Sequence, residues 1–399
     1  MSDWYAPQSE AEIAASVAEA VSRREPLSVQ GNSTKSAMLR PVQAARVLST
    51  AHIAGITLYA PKELVIRARA GTPLAEIEAA VAAEGQHLIS EPPDLSALFG
   101  ATAPQTLGGV IGANLSGPRR VAWGATRDHV LGVRAVNGTG EVIRSGGRVL
   151  KNVTGLDLGK LLTGSHGTLA VLTEVTLKVL PRPEMIGTVI LPGQDARAAL
   201  AAMSAALGSP YGVSAAAWLP GPAARQVGLA GAATLARIED FAASVSYRTE
   251  RLRAELGEFG KAEILADADS RSLWRHIRDA EPLNPAPEEA VWRVSVRPSR
   301  GADVVESLTA AFGAKLFLDW GGGLVWIAGP AEAAAHAAVE AAARQARGTW
   351  TVLRAPEPLR ASVAVVPPEP DPLARITRRV KEAFDPHGIL NPGRVYAGV

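Results

Sequence analysis

Cysteine is absent from all 399 residues of the chain. Its absence excludes disulfide bonds, thiolate-held zinc, a cysteine nucleophile and an iron–sulfur cluster bound by the chain's own thiolates. The seven histidines include no pair at the i, i+4 spacing typical of a helical metal site. We therefore expect no metal site in this chain.

The chain also lacks an excess of charge of one sign, because 41 Lys and Arg residues are balanced by 39 Asp and Glu residues. A formal charge of +2 without any Lys/Arg run argues against a nucleic-acid partner. No stretch of about 18 apolar residues occurs, so we expect no transmembrane segment. Residues 1–10 lack the basic and apolar regions of a signal peptide, and the expected location is the cytoplasm.

The residues that are present indicate a globular chain, 47% hydrophobic and 20% charged, long enough for two or three domains. Ser9 and Glu12 form a capping-box pattern before a predicted helix. Residues 27–29 then read as a short strand. The small polar residues 30–36 that follow suit either an anion nest for a pyrophosphate or an ordinary polar turn.

Further along, strand and helix patterns alternate. A strand over 64–70 precedes Thr72 and Pro73, which predict the N-cap and first residue of a helix. Strand-like residues 130–136 and 141–144 flank the dipeptide at 137–138, Asn-Gly, which favours a hairpin with a type I′ turn.

Two glycine-rich clusters lie before and after this hairpin. The first runs from Thr106 to Gly117, and the second covers residues 164–171. Backbone approaches a bulky charged ligand closely only where side chains are missing, so the clusters predict a long cofactor such as a dinucleotide. A nicotinamide-binding Rossmann domain is disfavoured, because no Gly-x-Gly-x-x-Gly opens a helix after a strand.

The order of several motifs resembles the vanillyl-alcohol-oxidase (PCMH) type of FAD-binding fold. These motifs are Thr-Leu-Gly-Gly, Asn-Leu-Ser-Gly, Trp-Gly-Ala-Thr-Arg-Asp, Lys-Asn-Val-Thr-Gly-Leu-Asp and Gly-Ser-His-Gly-Thr-Leu-Ala-Val. Residues 384–394 look like the closing segment of the hydroxy-acid dehydrogenase branch. Residues 116–120 and 151–153 look most like the small FAD-binding subunit of bacterial glycolate oxidase. The match is good over residues 1–185 and 375–399 and weaker between them.

The resemblance implies an α+β fold in three parts. A two-subdomain PCMH-type FAD-binding domain would cover residues 1–185, a ferredoxin-like α+β cap residues 186–360, and residues 361–399 would return to the FAD domain. The segments read as helices or strands of the cap are 198–206, 213–219, 244–247, 291–296, 324–328 and 331–346.

The resemblance also implies FAD as the cofactor. Residues 30–36 would wrap the pyrophosphate, Asn391 would lie beside the flavin ring, and Asp128 is equally suited to be a structural cap. The implied cofactor residues are Gln30, Gly31, Asn32, Ser33, Thr34, Lys35, Ser36, Pro104, Thr106, Gly108, Gly109, Asn114, Gly117, Gly124, Asp128, Gly164, Gly167, Thr168, Val171 and Asn391.

The positions of the histidines bear on how the cofactor would be held. Many relatives attach FAD covalently through a histidine in the first loop or near the second cluster. Residues 30–36 contain no matching histidine, so we expect noncovalent FAD. We interpret His166 as a loop residue near the cofactor, because no acidic partner or nucleophile-elbow spacing accompanies it.

Oxidation of a 2-hydroxy acid needs a base that takes the hydroxyl proton and cations that hold the carboxylate. Arginine suits the second task, because its planar guanidinium donates two parallel hydrogen bonds to a carboxylate. The arginine candidates are Arg119, Arg237, Arg293 and Arg297, and each is also suited to a surface charge or an interdomain ion pair. His276 is the candidate base. The larger catalytic subunits of this branch bind the acid at a histidine-rich metal site, which has no counterpart here. Oxidation of substrate by this chain itself is therefore in doubt.

Three functions remain open. The resemblance favours an FAD-binding subunit of a multi-subunit glycolate or other 2-hydroxy-acid oxidase, which would oxidise glycolate to glyoxylate with a catalytic flavoprotein and an iron–sulfur subunit. Such a complex could associate peripherally with a membrane. The alternatives are a stand-alone FAD-dependent oxidase of a small alcohol or hydroxy acid and a scaffold that lost FAD. Most of the eight tryptophans lie in the cap, where core packing is favoured over an interface.

Overall fold

The computed structural model describes residues 3–147 and 156–399. These residues form an N-terminal domain with two sheets, a cap domain with one large sheet, and a C-terminal segment that returns to the N-terminal domain. The motif predicted at 151–153 lies outside the described residues. The mixture of helices with mostly antiparallel sheet agrees with the predicted α+β class.

The N-terminal domain begins with a three-stranded parallel sheet in the order β1-β3-β2. The helix that packs on it buries Ile13 and Val17, which lie one helical turn apart. The elements are β1 (Asp3–Tyr5), α1 (Glu10–Arg23), β2 (Leu27–Gln30) and β3 (Arg46–Ser49).

A six-stranded antiparallel sheet completes this domain, in the order β4-β5-β9-β7-β8 with β6 paired to β9. Helix α4 packs across it and buries Val110 and Ile111. The elements are β4 (Ile56–Ala60), β5 (Val65–Arg69), α2 (Leu74–Ala83), β6 (Gln86–Leu88), α3 (Ser96–Phe99), α4 (Leu107–Ala113), α5 (Arg120–Trp123), β7 (Val130–Asn137), β8 (Val142–Gly146), α6 (Leu158–Leu162) and β9 (Ala170–Pro181).

Two predicted helix starts have different outcomes. Ser9 caps α1, because its Oγ accepts a hydrogen bond from the N–H of Glu12 (3.2 Å). Thr72 does not cap α2, which begins at Leu74 after an N-cap proline. The Thr72 side chain is buried instead, and its hydroxyl donates to the carbonyl of Arg69 (2.7 Å). A buried hydroxyl needs a partner, and a strand carbonyl nearby supplies it.

The predicted hairpin is present as β7 and β8, but its turn is not type I′. That turn requires positive φ at both central residues, and neither Asn137 nor Gly138 has it. Gly140 takes the left-handed position instead, with a φ of 85°. The Asn137 Oδ1 accepts hydrogen bonds from the N–H groups of Thr139 (3.0 Å) and Glu141 (2.9 Å). Asparagine therefore shapes this loop through its side chain.

The cap is one eight-stranded antiparallel sheet in the order β13-β10-β12-β11-β15-β16-β14-β17. Each half runs β-α-β-β-α-β, with one extra short helix between the second and third strands of the first half. The cap elements are β10 (Met185–Pro192), α7 (Ala196–Gly208), β11 (Ala215–Leu219), α8 (Gly221–Gln226), β12 (Ala233–Asp240), α9 (Ala242–Glu255), β13 (Glu263–Leu265), α10 (Asp267–Arg278), β14 (Ala290–Ser295), α11 (Gly301–Phe312), β15 (Lys315–Asp319), β16 (Leu324–Gly329), α12 (Ala333–Gln345) and β17 (Thr349–Arg354).

The ferredoxin-like prediction therefore applies twice. The strands of each half have the order fourth-first-third-second, and the halves join through the pairing of β11 with β15 at Trp218 and Leu318. Residues 244–247, predicted as a strand, belong to α9, where Val245 packs against the sheet. Their short β-like composition is overridden by the helical spacing of the buried residues around them.

The C-terminal segment contains α13 (Glu357–Ser362) and α14 (Asp371–Phe384) and returns to the N-terminal domain as predicted. Lys381 Nζ donates to the carbonyls of Thr168 (2.7 Å) and Leu390 (2.9 Å) and pairs with Asp385 (2.7 Å). Leu390 also forms a parallel bridge with Leu27 of β2. Among the described helices, none has both the length and the apolar character needed to cross a bilayer.

Candidate cofactor-binding site

A pocket of about 380 Å³ lies where the loop after β2 meets α4. The C-terminal segment and α13 form its other walls, so three separated parts of the chain build one site. The pocket brings together predicted cofactor residues from the polar loop, the first glycine cluster and the closing segment: residues 30–36, Thr106, Gly109 and Asn391.

The loop at residues 30–36 offers unused backbone donors to this pocket. Within the described chain, the N–H groups of residues 32–35 have no hydrogen-bond acceptor. Ser33 takes a left-handed conformation with a φ of 58°, which turns successive N–H groups toward one side. Asn32 anchors the loop by donating from Nδ2 to the carbonyl of Pro104 (2.9 Å). Such a row of free N–H groups is an anion-binding arrangement.

Glycines keep this wall of the pocket flat. A Cβ on Gly31 would lie 2.3 Å from Thr106 Oγ1, so no larger residue fits there. A Cβ on Gly112 would meet no atom within 4 Å and would project into open space, while one on Gly109 would lie 3.9 Å from Lys35 Nζ. Methyl groups at these two positions would therefore occupy space that the pocket leaves for a ligand.

Three cations line the pocket, and none has a carboxylate within 4.0 Å among the described residues: Lys35, Arg360 and Arg394. Their hydrogen bonds go to neutral oxygens, including Lys35 Nζ to Gln105 Oε1 (3.1 Å) and Arg394 to the carbonyl of Lys35 (2.9 Å). Burial lowers the pKa of Lys35 to about 8 and, with repulsion from Arg360, the pKa of Arg394 to about 10. Glu357 is the one carboxylate among the lining residues, so three cations against one anion leave the pocket with a net positive charge.

Asn391 holds the pocket together at the C-terminal side. Its Oδ1 accepts from the N–H of Val29 (2.7 Å), and its Nδ2 donates to the carbonyls of Val29 (3.2 Å) and His166 (2.8 Å). Burial, aided by the charge of Arg394, lowers the pKa of His166 to about 3, so its imidazole is neutral at physiological pH. His166 thus lines the pocket as an uncharged loop residue, in agreement with the interpretation from sequence.

Ten predicted cofactor residues lie outside this lining. Three of them shape α4 and its approach to the pocket. A Cβ on Gly108 would lie 2.9 Å from the Cβ of Ala70, so this glycine permits α4 to pack on β5. Asn114 ends α4 in a left-handed conformation with a φ of 50°. Pro104 contributes only the carbonyl that anchors the polar loop.

The second glycine cluster supports the pocket from behind. Gly167 has a φ of 71°, and a Cβ there would lie 2.8 Å from Asn391 Nδ2. Gly164, with a φ of 89°, packs against Asn114 in the same way, at 3.3 Å from its Cβ. The Thr168 carbonyl accepts from the α14 lysine, and Val171 is fully buried in β9. These residues position the lining rather than belong to it.

The remaining three face away from the pocket. A Cβ on Gly117 would lie 2.3 Å from the carbonyl of Glu91, and the Gly117 carbonyl accepts from Trp320 Nε1 (3.1 Å), a contact between the domains. Asp128 accepts from the N–H of Ala125 (2.8 Å), and Gly124 leaves room for that carboxylate. Asp128 is therefore a structural cap, one of the two roles expected.

Two of the arginine candidates belong to a buried ion-pair cluster between the domains. Arg237 donates from both terminal nitrogens to Glu91 (2.9 and 2.9 Å), and Arg119 donates to Glu239 (2.8 and 2.6 Å). Burial raises the pKa of the Glu91 carboxyl, but the charges of these two arginines outweigh burial and lower that pKa to about 2. Arg119 also contacts His87. Both arginines are used as interdomain ion pairs, the alternative role expected for them.

The other catalytic candidates also lie outside the pocket lining. The Arg293 guanidinium lies 5.3 Å from the ring of Trp320 and 4.8 Å from that of Trp326, a cation–π arrangement inside the cap. Arg297 is exposed. His276 Nδ1 lies 2.6 Å from Glu281 on the protein surface. None of these residues is placed to hold a substrate at the pocket.

Several lining residues were missed from sequence, chiefly Gly112, Glu357, Arg360 and Arg394. Gly112 lies inside the first glycine cluster and Arg394 inside the closing segment at 384–394, so membership of these segments was an available signal. Glu357 and Arg360 belong to a short helix that follows the last cap strand, and no local pattern indicates that this helix reaches residues 30–42. In the described chain, no group of three or more His, Asp or Glu residues is arranged to hold a metal ion.

A parallel and an antiparallel sheet, an α+β cap and a positive, glycine-lined pocket between them define a class: flavoproteins that bind a dinucleotide cofactor. Residues 4–146 match the model of the FAD binding domain family, and residues 369–395 match that of the C-terminal domain of FAD linked oxidases. Among solved structures, 4-ethylphenol oxidase from Gulosibacter chungangensis has a TM-score of 0.72 at 16% identity, covering 99% of this chain and 89% of that one. Alkyldihydroxyacetonephosphate synthase has a TM-score of 0.70 at 16% identity, over 98% and 76%.

Sequence relatives carry the assignment further. Glycolate oxidase subunit GlcE of Escherichia coli is 34% identical over 386 residues, which cover 96% of this chain and 95% of that protein. Glycolate oxidase subunit GlcD of Bacillus subtilis is 34% identical over 150 residues, only 38% of this chain and 30% of that protein. The chain belongs to the FAD-linked oxidases, in the family of glycolate oxidase subunit GlcE. The predicted FAD cofactor and the predicted oxidoreductase class are confirmed.

Proposed function

We propose that this chain is the FAD-binding subunit of a multi-subunit glycolate oxidase, acting with a catalytic flavoprotein subunit and an iron–sulfur subunit in the cytoplasm. The observation that carries the proposal is the end-to-end similarity to GlcE, which spans the N-terminal domain, the cap and the returning segment. Because the chain has no cysteine, a cluster that receives its electrons must be bound by another subunit.

The net positive charge and the glycine lining of the pocket support FAD as its ligand. We propose that the free N–H groups of residues 32–35, with Lys35 and Arg394, hold the pyrophosphate, since two phosphate charges would meet cations that lack carboxylate partners. Gly109 and Gly112 would allow close approach to α4. When bound, FAD supplies a two-electron acceptor for the hydrogen of a CH–OH group.

The chain's own residues then position the cofactor rather than perform the proton transfer. Asn391 joins β2, from which the polar loop begins, to the second glycine cluster through Val29 and His166. Arg360 reaches the pocket from the cap side while bonding to the carbonyls of Leu39 (3.0 Å) and Ala355 (2.8 Å). Two of the arginines expected to hold a carboxylate, Arg119 and Arg237, are paired with glutamates between the domains, and the other two lie outside the pocket lining. This arrangement supports an FAD-bearing partner subunit over a stand-alone oxidase.

Absorbance of the purified chain and of its complex tests the proposal. We expect the isolated chain to be yellow, to release its flavin on acid precipitation because the cofactor is noncovalent, and to stay oxidised when glycolate is added. In the complex with the catalytic flavoprotein and the iron–sulfur subunit, added glycolate should reduce both flavins. Flavin reduction by glycolate in the isolated chain would establish a stand-alone oxidase. A colourless chain that still assembles would establish a scaffold.

A further inference from the structure

A groove of about 350 Å³ at the junction of the two domains is lined by exposed aromatic side chains. Trp123 at the end of α5 is 49% exposed, and Phe241 between β12 and α9 is 68% exposed. Leu180 and Pro181 at the end of β9, and Pro183 just after it, add further apolar surface. Three carboxylates, those of Glu184, Glu239 and Asp240, also line the groove. Exposed aromatic and proline side chains gathered in one groove are typical of a surface that is covered by another protein.

The groove continues into a second cleft of about 320 Å³, because both are lined by His87, Arg119 and Arg182. The second cleft adds three arginines from α10, namely Arg271, Arg275 and Arg278. One surface thus presents an aromatic end, which also carries carboxylates, next to an arginine-rich end, where arginines outnumber the two glutamates, Glu78 and Glu91. Neither cavity shares a lining residue with the candidate FAD pocket.

The charges of the arginine-rich end are only partly neutralised. Arg271 pairs with Asp267 (2.9 Å) and Arg278 with Asp279 (2.8 Å). In the part of the chain that the structure describes, Arg182 has no carboxylate within 4.0 Å, and the same holds for the arginine at 275 on α10. These free guanidinium groups are suited to receive carboxylates, which the arginine fork binds with two parallel hydrogen bonds.

We propose that this groove and cleft form one docking surface for the catalytic flavoprotein subunit. An extended segment of that subunit would seat an apolar side chain against Trp123 and Phe241 and direct carboxylates to Arg182 and Arg275. The inference rests on the proposed function. Charge complementarity favours an acidic segment, and the pairing of aromatic with arginine contacts is the composition of binding hot spots. A small anion would use the arginine-rich end alone.

Binding of the purified catalytic flavoprotein subunit to variants of this chain tests the surface. Trp123→Ala/Phe241→Ala removes the aromatic end, and Arg182→Glu/Arg275→Glu reverses the charge of the other end. We expect each double variant to raise the Kd at least about tenfold, while the FAD content stays at the wild-type value because the two sites are separate. Matched controls are Trp4→Ala, an exposed tryptophan on β1, and Lys261→Glu on the cap surface.

Each outcome decides between the surface and the function on which it rests. Wild-type binding with both double variants unaffected would overturn the docking surface and leave the proposed partnership intact. Failure of the FAD-loaded wild-type chain to bind the flavoprotein subunit would overturn the partnership and the surface together. A third outcome would be loss of binding in the Arg182→Glu/Arg275→Glu variant alone, together with displacement of the flavoprotein subunit from the wild-type chain by citrate. That outcome would identify a small-anion site and also overturn the proposal.

Discussion

Gly31 and Thr106 are in such close contact that a Cβ on the glycine would lie 2.3 Å from the threonine Oγ1. We expect Gly31→Ala to push the polar loop away from α4 and to lower FAD affinity at least about tenfold. Fluorescence titration of FAD into the apo chain measures the change. Adding Thr106→Ala, which removes the clashing oxygen, should restore much of the affinity. Equal weakening in the single and double variants would contradict the contact as the cause.

Gly31 also shows how far sequence reasoning reached. The glycine motifs predict segments of close backbone approach, because a glycine requirement is local and visible in composition. Whether each glycine faces the ligand or another backbone is a tertiary property. Gly108 is the neighbour of Gly109 in the first cluster and Gly167 belongs to the second, yet these two glycines pack against Ala70 and Asn391.

In the cap, too, the local segments are predictable from sequence and their long-range pairing is not. Its alternating segments predicted a ferredoxin-like unit, but the pairing of β11 with β15, which fuses two such units, depends on a long-range contact without a local signal. Arg237 illustrates the limit for chemistry: an arginine in a strand reads equally as a carboxylate clamp or as an ion pair. Only the position of Glu91, 146 residues away, decides between them.

Lys35 gives the FAD site a dependence on pH. Burial lowers the pKa of its ammonium to about 8, and binding of a pyrophosphate requires the charged form. We expect the FAD affinity of the apo chain to be constant below about pH 8 and to fall up to about tenfold per pH unit above it, because a proton must then be taken up on binding.

The measurement is FAD titration at pH 7, 8, 9 and 9.5. Lys35→Arg should flatten the profile, since arginine stays charged over this range, and Lys35→Gln should bind more weakly at pH 7 with an equally flat profile. Parallel slopes for the wild type and Lys35→Arg would show that another group titrates.

The interdomain cluster predicts a large cost for removing one charge. Arg237 is fully buried and bonded through both terminal nitrogens to Glu91. Glu91→Gln should therefore lower the free energy of unfolding by about 3 kcal/mol, because it leaves the buried guanidinium with only the more distant carboxylate of Glu239 (3.8 Å). Urea denaturation at pH 7 measures it. The double variant Glu91→Leu/Arg237→Met should lose less than the single variant, since both charges are then absent.

The exposed pair Arg253–Glu250 provides the control, because Glu250→Gln should change stability by less than about 1 kcal/mol. A loss in Glu91→Gln no greater than in this control would mean that the cluster does not hold the domains together.

Asp319 makes stability fall as pH rises. Burial raises the pKa of its carboxyl from 3.8 to about 7, although the N–H of Trp320 donates to it (2.7 Å). Between about pH 4 and pH 7 the folded chain therefore binds a proton that the unfolded chain has lost. The free energy of unfolding therefore decreases by on the order of 4 kcal/mol as pH rises through this window and is constant above it.

Asp319→Asn removes this titration while keeping an oxygen for the Trp320 N–H. We expect the variant to gain stability relative to the wild type as pH rises from 5 to 8, reaching a few kcal/mol at pH 8. Urea denaturation of both proteins at pH 5, 6, 7 and 8 gives the difference at each pH. Asp269→Asn, at an exposed position on α10, should show a difference that does not change with pH. A constant difference for Asp319→Asn as well would mean that the buried carboxyl is ionised throughout, held by Arg237 and Arg293 more strongly than burial opposes it.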